Sequence, residues 1–153
     1  MLEPVLEPVL PDDVADLTEF LRRADLTVAG LDVPAVRLWV RRDDAGIAAS
    51  AGYELSADGR HALIRSTAVR PDLRGRGAGL GAAVFAVDRA REAGAVTAWL
   101  FSRRSGPFWR RLGFAPATTA ELAAALPDAQ QVRLFRGSGQ LGREVAWRLA
   151  LRD

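Results

Sequence analysis

Three short segments in the first half of the chain are predicted to be strands, and the first of them alternates apolar and basic residues. They are Val36–Arg42, Ile47–Leu55 and His61–Val69. Asp58-Gly59 lies between the second and third segments and is a hairpin signal. The pattern therefore predicts an antiparallel meander in this half.

Three elements are predicted before the meander. Met1–Pro11 contains prolines, which edge strands tolerate, so we expect a first edge strand there. A helix capped by Asp12 or Asp13 should run to about Ala24, because its apolar residues recur at helical spacing. A second, shorter helix is expected around Leu31–Val36.

The second half mixes helices with strands and has no linker long enough to divide the chain. We therefore expect one domain over residues 1–153, with a mixed α/β fold in which the antiparallel sheet acquires a strand–loop–helix–strand crossover. The predicted elements are a helix at Gly77–Ala93, a strand at Val96–Ser102, a helix at Ser105–Leu112, the segment Phe114–Thr118, a helix at Ala120–Leu126 and a strand near Glu144–Leu151.

The composition excludes several kinds of site. There is no cysteine and one histidine, so disulfides, thiolate ligands and a histidine-based metal cluster are ruled out, and no metal is expected. The pI near 10.2 comes with a formal net charge of only +2, because all basic residues are arginine and few groups titrate at high pH. We expect no nucleic-acid partner.

The chain also lacks the features of a membrane or exported protein. No apolar stretch approaches the roughly 20 residues that a membrane span needs. Met1–Leu10 has neither a basic start nor an apolar core, so no secretory signal is recognised. A cytoplasmic protein without a membrane partner is expected.

The most informative segment is Ser66–Gly81, in which a strand leads into a glycine-dense loop that opens a helix. Glycines let backbone N–H groups approach an anion, and the helix N-terminus adds positive partial charge. Arg74 and Arg76 add side-chain charge. Such a loop suits a pyrophosphate.

Three interpretations of this loop compete. The first is a tight helix start with solvated arginines, although glycines in a helix cost about 1 kcal/mol each. The second is a dinucleotide site, since Gly77–Ala82 fits G-x-G-x-x-A, but the preceding meander is unlike a βαβ unit. The third is a site for acetyl-coenzyme A.

Two motifs favour the third interpretation. Arg74–Gly79 matches the R/Q-x-x-G-x-G/A loop of the GNAT N-acetyltransferases, and Ala68–Pro71 resembles the approach to that loop. Gly106–Phe114 resembles the family's F-Y-x-x-L-G-F helix and turn. The chain is therefore similar to the GNAT superfamily, which implies a mostly antiparallel central sheet, splayed at the acetyl-CoA site and flanked by helices.

A narrower resemblance is carried by Gly52–Glu54 and Ala62–Ser66. These segments look like bacterial arsenic-resistance N-acetyltransferases and, more distantly, like amino-acid N-acetyltransferases such as N-acetylglutamate synthase. The resemblance implies a bacterial enzyme with a role in arsenic resistance, and a homodimer is an open possibility.

The GNAT resemblance also implies roles for particular residues. The pyrophosphate would be held by the loop backbone, and the pantetheine arm would lie along the end of the third meander strand, with the Val69 N–H polarising the thioester carbonyl. Trp109 stands where many relatives have a tyrosine acid and would pack against the pantetheine. The implied cofactor-binding residues are Thr67, Ala68, Val69, Arg74, Gly75, Arg76, Gly77, Ala78, Gly79 and Trp109.

Strand pairing suggests the residues that handle the acceptor. If Asp58-Gly59 centres the hairpin, one face carries Gly52, Glu54, Leu63, Arg65 and Thr67. Glu54 among apolar neighbours is a candidate general base, and a structural Glu54–Arg65 ion pair is the alternative. Arg65 and Arg37 would bind an acidic group of the substrate by two-point contacts.

These residues predict an N-acetyltransferase that moves the acetyl group of acetyl-CoA to the amine of a small acidic molecule, such as an amino acid or an amino-acid-like phosphinate or arsinate. One alternative is acetylation of protein N-termini or other amines. Another is a GNAT module that binds acyl-CoA without turnover.

Overall fold

The computed structural model describes residues 6–152, which form a single seven-stranded sheet with helices on both faces. The strands are β1 (Glu7–Pro8), β2 (Val36–Asp43), β3 (Gly46–Leu55), β4 (His61–Val69), β5 (Thr97–Phe101), β6 (Ala115–Ala117) and β7 (Ala146–Ala150). The helices are α1 (Val14–Arg23), α2 (Ala78–Glu92), α3 (Gly106–Arg111), α4 (Thr119–Ala125) and α5 (Gln130–Gly137).

The sheet has the strand order β1-β2-β3-β4-β5-β7-β6. Every neighbouring pair is antiparallel except β4 and β5, which are parallel and are connected through α2. The predicted meander and crossover are both present, and β1 is an edge strand as expected. No helix within residues 6–152 has the length and apolarity needed to cross a bilayer.

The two parallel strands pair over only three positions and then separate. The pairs run from His61↔Thr97 to Leu63↔Trp99, so the later residues of β4 have no partner on the β5 side. On its other side, β4 carries a bulge against β3, where Ser66 has a φ of 55°. The Ser50 hydroxyl donates to the Ser66 carbonyl at 2.6 Å, which holds the bulge in place.

The bulge changes which side chains share a face. Gly52 opposes Arg65 and Glu54 opposes Leu63, as predicted, but Ser50 opposes Ala68. Thr67 therefore lies within the bulge, and the prediction that it continues the face of Arg65 is wrong. An irregular extra residue resets the two-residue alternation of a strand.

The two faces of the sheet bury different cores. One core packs α2 and α3 against Tyr53, Ile64 and Leu100. The other face is covered by α1 near Leu38 and by α4 and α5 near Leu63. Because residues alternate along β3 and β4, Glu54 and Arg65 point to the α1 and α5 side.

Two sequence predictions need correction here. The segment Leu31–Val36 is not a helix but forms turns that lead into β2. Pro34 favours this outcome, because proline disrupts the interior of a helix. Helix α5 was not predicted, because its N-cap is Ala129 and no local side chain caps it. Instead, the Glu54 carboxylate accepts a hydrogen bond from the Gln130 N–H at 2.9 Å.

Candidate active site

A cleft of about 560 Å³ opens where β4 and β5 separate. It passes between the two layers of helices, because it is lined by residues from both faces of the sheet. Its lining residues include Ile64, Arg65, Thr67, Ala68 and Val69 from β4, Leu100 and Phe101 from β5, and Arg74, Gly79, Trp109 and Gln131.

The glycine loop at one end of the cleft is shaped to receive an anion. Gly75 and Gly77 have φ values of 80° and 82°, which favour glycine, and a Cβ added at either would project into open space. Gly77 is the N-cap of α2, and the Gly81 N–H makes the first bond of the helix to the Gly77 carbonyl at 3.0 Å. The preceding N–H groups remain available to a ligand, as in other helix N-termini that bind phosphate.

Side chains complete this anion-binding end. Arg74 lines the cleft together with Gly79, and Arg76 is exposed on the same loop. An added Cβ at Gly79 would lie 3.6 Å from a methyl group of Val69, so the loop contacts the end of β4. The residues of the predicted pyrophosphate loop are thus assembled beside the strand that would carry the pantetheine.

The backbone of Val69 has the orientation that a carbonyl-polarising donor needs. The Arg70 N–H donates to the Ala48 carbonyl at 2.9 Å, toward β3. Successive N–H groups of a strand point to opposite sides, so the Val69 N–H points away from β3. That side faces the gap left by β5, where a thioester oxygen can accept its hydrogen bond.

Aromatic rings form the wall of the cleft on the α3 side. Trp109 is buried and makes edge contacts with Phe108 and Phe114, at centroid distances of 5.0 and 5.5 Å. Tyr53, the one tyrosine in the chain, packs on Trp39 elsewhere on the sheet and does not line the cleft. A tyrosine acid for the leaving thiolate is therefore not placed at this site.

Glu54 is buried under the cleft rather than in its wall. Its Oε1 accepts the Gln130 N–H and lies 3.9 Å from Nη1 of Arg65, so the structural ion pair considered above is formed. Burial raises the pKa of the Glu54 carboxyl, while the Gln130 N–H and the Arg65 charge act in the opposite direction. Glu54 is not among the residues that line the cleft.

Arg65 does line the cleft, and its side chain is fully buried. Its Nε donates to the Ser66 hydroxyl at 3.0 Å, whereas Nη1 and Nη2 have no hydrogen-bond partner among residues 6–152. Burial lowers the pKa of Arg65, and Glu54 partly offsets this effect. A buried guanidinium whose terminal N–H groups have no partner among the described residues is suited to pairing with a planar oxyanion such as a carboxylate.

The other predicted acceptor residue, Arg37, is not part of this site. It pairs with Tyr53, which places it on the face opposite Arg65, and it is exposed. The predicted two-arginine fork is therefore wrong. Residues paired on adjacent strands point to the same face of the sheet, so the pairing of Arg37 with Tyr53 puts Arg37 on the face of Tyr53 and not on that of Arg65.

Sequence reasoning missed the residues that close the acceptor side. Gln131 on α5 lines the cleft, and its amide donates to the Thr27 hydroxyl at 2.5 Å. Leu26, from the same α1–β2 connection, also lines the cleft. Gly30 packs so closely on Gln130 that a Cβ there would clash with it. Helix α5 could have been predicted from the three-residue spacing of the apolar residues Val132 and Phe135, which is typical of one helix face.

Comparison with known proteins agrees with the GNAT resemblance of the glycine loop. A family model for the acetyltransferase (GNAT) family matches residues 5–114, more than half of the chain. A search of curated protein sequences found no significant match. Within residues 6–152, no group of three or more metal-binding side chains is assembled.

Solved structures share the fold at low identity. N-acetylglutamate synthase from Neisseria gonorrhoeae, complexed with coenzyme A and N-acetyl-glutamate, superimposes with a TM-score of 0.77 at 17% identity, covering 100% of this chain and 36% of that one. The chain thus spans about a third of that protein's length. A GNAT acetyltransferase from Staphylococcus aureus gives 0.71 at 11% identity, with coverage of 98% and 100%. The ribosomal-protein-S18-alanine N-acetyltransferase from Escherichia coli gives 0.66 at 17%, with coverage of 99% and 96%.

With the glycine loop, the splayed sheet and the family match together, the chain belongs to the acetyltransferase (GNAT) family. The predicted GNAT fold and family are confirmed.

Proposed function

We propose that this protein transfers the acetyl group of acetyl-CoA to the amine of a small acidic molecule, such as an amino acid or an amino-acid-like phosphinate or arsinate. The observation that carries the proposal is Arg65, a fully buried guanidinium in the lining of the cleft whose two terminal nitrogens have no hydrogen-bond partner among residues 6–152. The N-acetyl-glutamate bound to the N. gonorrhoeae relative is an acid-bearing product of the same kind. An acceptor carboxylate would satisfy the open N–H groups of Arg65.

In this proposal, the backbone N–H groups of Gly77–Gly79 hold the pyrophosphate, with charge from Arg74 and Arg76. The pantetheine lies along Thr67–Val69 and against Trp109. The Val69 N–H donates to the thioester oxygen and stabilises the charge that develops there as the amine attacks. Arg65 holds the acid group, so the amine is presented at a fixed distance from the carbonyl carbon.

The reaction forms a C–N bond, breaks the C–S bond and releases one proton from the amine. Glu54 is the proposed proton acceptor, and because its carboxylate lies under the cleft it would act through water. Its raised pKa suits a base that works near neutral pH. The thiolate leaves at the Val69 end of the cleft and takes its proton from solvent.

The test is a thiol-release screen with acetyl-CoA across amino acids, amino phosphinates, polyamines, aminoglycosides and short peptides. We expect acid-bearing amines to be the best acceptors. Arg65→Ala should raise their KM by about a hundredfold and leave coenzyme A affinity unchanged.

The screen also separates the alternatives. Preference for polyamines or aminoglycosides, with Arg65→Ala silent, would contradict the acidic acceptor. Preference for peptides indicates protein N-terminal acetylation instead. Acetyl-CoA binding without thiol release for any amine indicates a non-catalytic module.

A further inference from the structure

We propose that Glu144 receives the protonated amine of the acceptor, so that Arg65 and Glu144 together select a zwitterion. The bound ammonium gives one proton to solvent before it attacks, and the second proton passes to Glu54 as the C–N bond forms. The inference rests on the proposed function and names the group that recognises the amine end of the same substrate. It starts from a second cavity of about 640 Å³ on the α5 side of the sheet. This outer chamber shares Leu26, Phe101 and Gln131 with the cleft, so the two are continuous.

The outer chamber supplies the carboxylates that the cleft lacks. Within the described residues, no Asp or Glu lines the cleft, whereas Asp25 and Glu144 line the chamber beside Arg22, Arg103 and Arg104. The Asp25 side chain is 75% exposed and pairs with Arg104, while that of Glu144 is only 7% exposed. A buried carboxylate binds an ammonium group more strongly than a solvated one, because water screens it less.

Glu144 is held in place but can still accept a hydrogen bond. Gln140 donates to its Oε2 at 3.2 Å, and Nε of Arg103 lies 3.4 Å from the same oxygen. Both contacts use Oε2, which leaves Oε1 for a ligand. The Ser102 N–H donates to the Val145 carbonyl at 2.9 Å and ties this segment to the end of β5. The carboxylate is therefore presented by a fixed element.

The strand register places the two charges at different levels along the sheet, Arg65 beside the β4–β5 gap and Glu144 on the β7 side of β5. Arg65 follows the last β4–β5 pair, Leu63↔Trp99, by two residues, so it lies roughly 7 Å beyond it at 3.3 Å per residue. Glu144 precedes Ala146, which pairs with Phe101, so it lies beyond the end of β5 at the open side. An acceptor whose acid group is at Arg65 and whose amine extends outward around the end of β5 thus enters the outer chamber, which Glu144 lines.

The experiment compares Glu144→Gln with Asp25→Asn as the matched control, since both remove one negative charge from the chamber. Steady-state kinetics use the best amino-acid acceptor from the screen, and inhibition is measured with its desamino acid, which lacks the amine. We expect Glu144→Gln to raise the acceptor KM at least tenfold and to leave the KM for acetyl-CoA and the Ki of the desamino acid within twofold. Asp25→Asn should leave all three within twofold.

Several outcomes decide the matter. An unchanged acceptor KM in Glu144→Gln, or an equal effect of Asp25→Asn, would overturn the assignment. A parallel loss of desamino-acid affinity would do so too, because Glu144 would then shape the chamber rather than bind the amine. Glu144→Asp keeps the charge and should recover part of the effect. A wild-type protein that acetylates no amino acid contradicts the proposed function itself, which separates that failure from this one.

Discussion

The buried pair Glu54–Arg65 allows stability and function to be separated in a double-mutant cycle. Arg65→Met and Glu54→Gln each remove one charge while nearly preserving side-chain volume. At 3.9 Å, the attraction between the two charges is about 4 kcal/mol at an effective dielectric constant of 20. Burying each ion costs several kcal/mol, so the pair as a whole contributes little to stability.

Arg65→Met leaves the buried Glu54 charge without its counter-charge, which costs about 3 kcal/mol. Glu54→Gln should cost less, because burial already disfavours the ionised carboxylate and raises its pKa. The double variant removes both charges, so its free energy of unfolding should return to within about 1 kcal/mol of the wild type. Its acetyl transfer to acid-bearing amines should stay at least a hundredfold below wild type, because Arg65 is still missing. Stability would thus be restored without activity.

The assay is equilibrium unfolding in guanidinium chloride at pH 8 without ligand, together with steady-state kinetics on the same four proteins. Purely additive losses, with the double variant no more stable than Arg65→Met at about 3 kcal/mol below wild type, would show that the two charges do not interact. Recovery of activity in the double variant would show that Arg65 serves only to neutralise Glu54.

Two further predictions concern the loop and the pH dependence. Gly79→Val should weaken coenzyme A binding at least a hundredfold by calorimetry, because Gly79 lines the cleft. Gly81→Val, two residues further along, is the control and should change the affinity less than threefold, because a Cβ there enters open space. Equal effects of the two substitutions would contradict the loop assignment. Glu54→Gln should lower kcat about a hundredfold. The folded wild type holds the Glu54 proton more tightly than the unfolded chain does, because burial raises the pKa of Glu54. This contribution to stability is fully present below pH 4.5, the ordinary Glu pKa, and is lost as pH rises through the raised pKa; Glu54→Gln should remove it. A wild type and variant that differ by a constant amount from pH 4 to 8 would exclude this effect.

Local pattern was sufficient for most of the elements. The strand His61–Val69 was predicted with the bounds that are observed, and the turn at Asp58-Gly59 set the pairing of Glu54 with Leu63. The loop Arg74–Gly79 was recognised because its chemistry lies in consecutive residues. In each case, the deciding interactions are between residues close in sequence.

What only the tertiary structure decided involves residues distant in the chain. The bulge at Ser66 is held by Ser50, and the face of Arg37 follows from its register with Tyr53. Helix α5 begins where the Glu54 carboxylate accepts the Gln130 N–H, a contact between residues 76 positions apart. Periodicity reports how one segment divides between core and solvent. It does not report which distant side chain completes a helix end or a cleft, because that depends on how the packed elements meet.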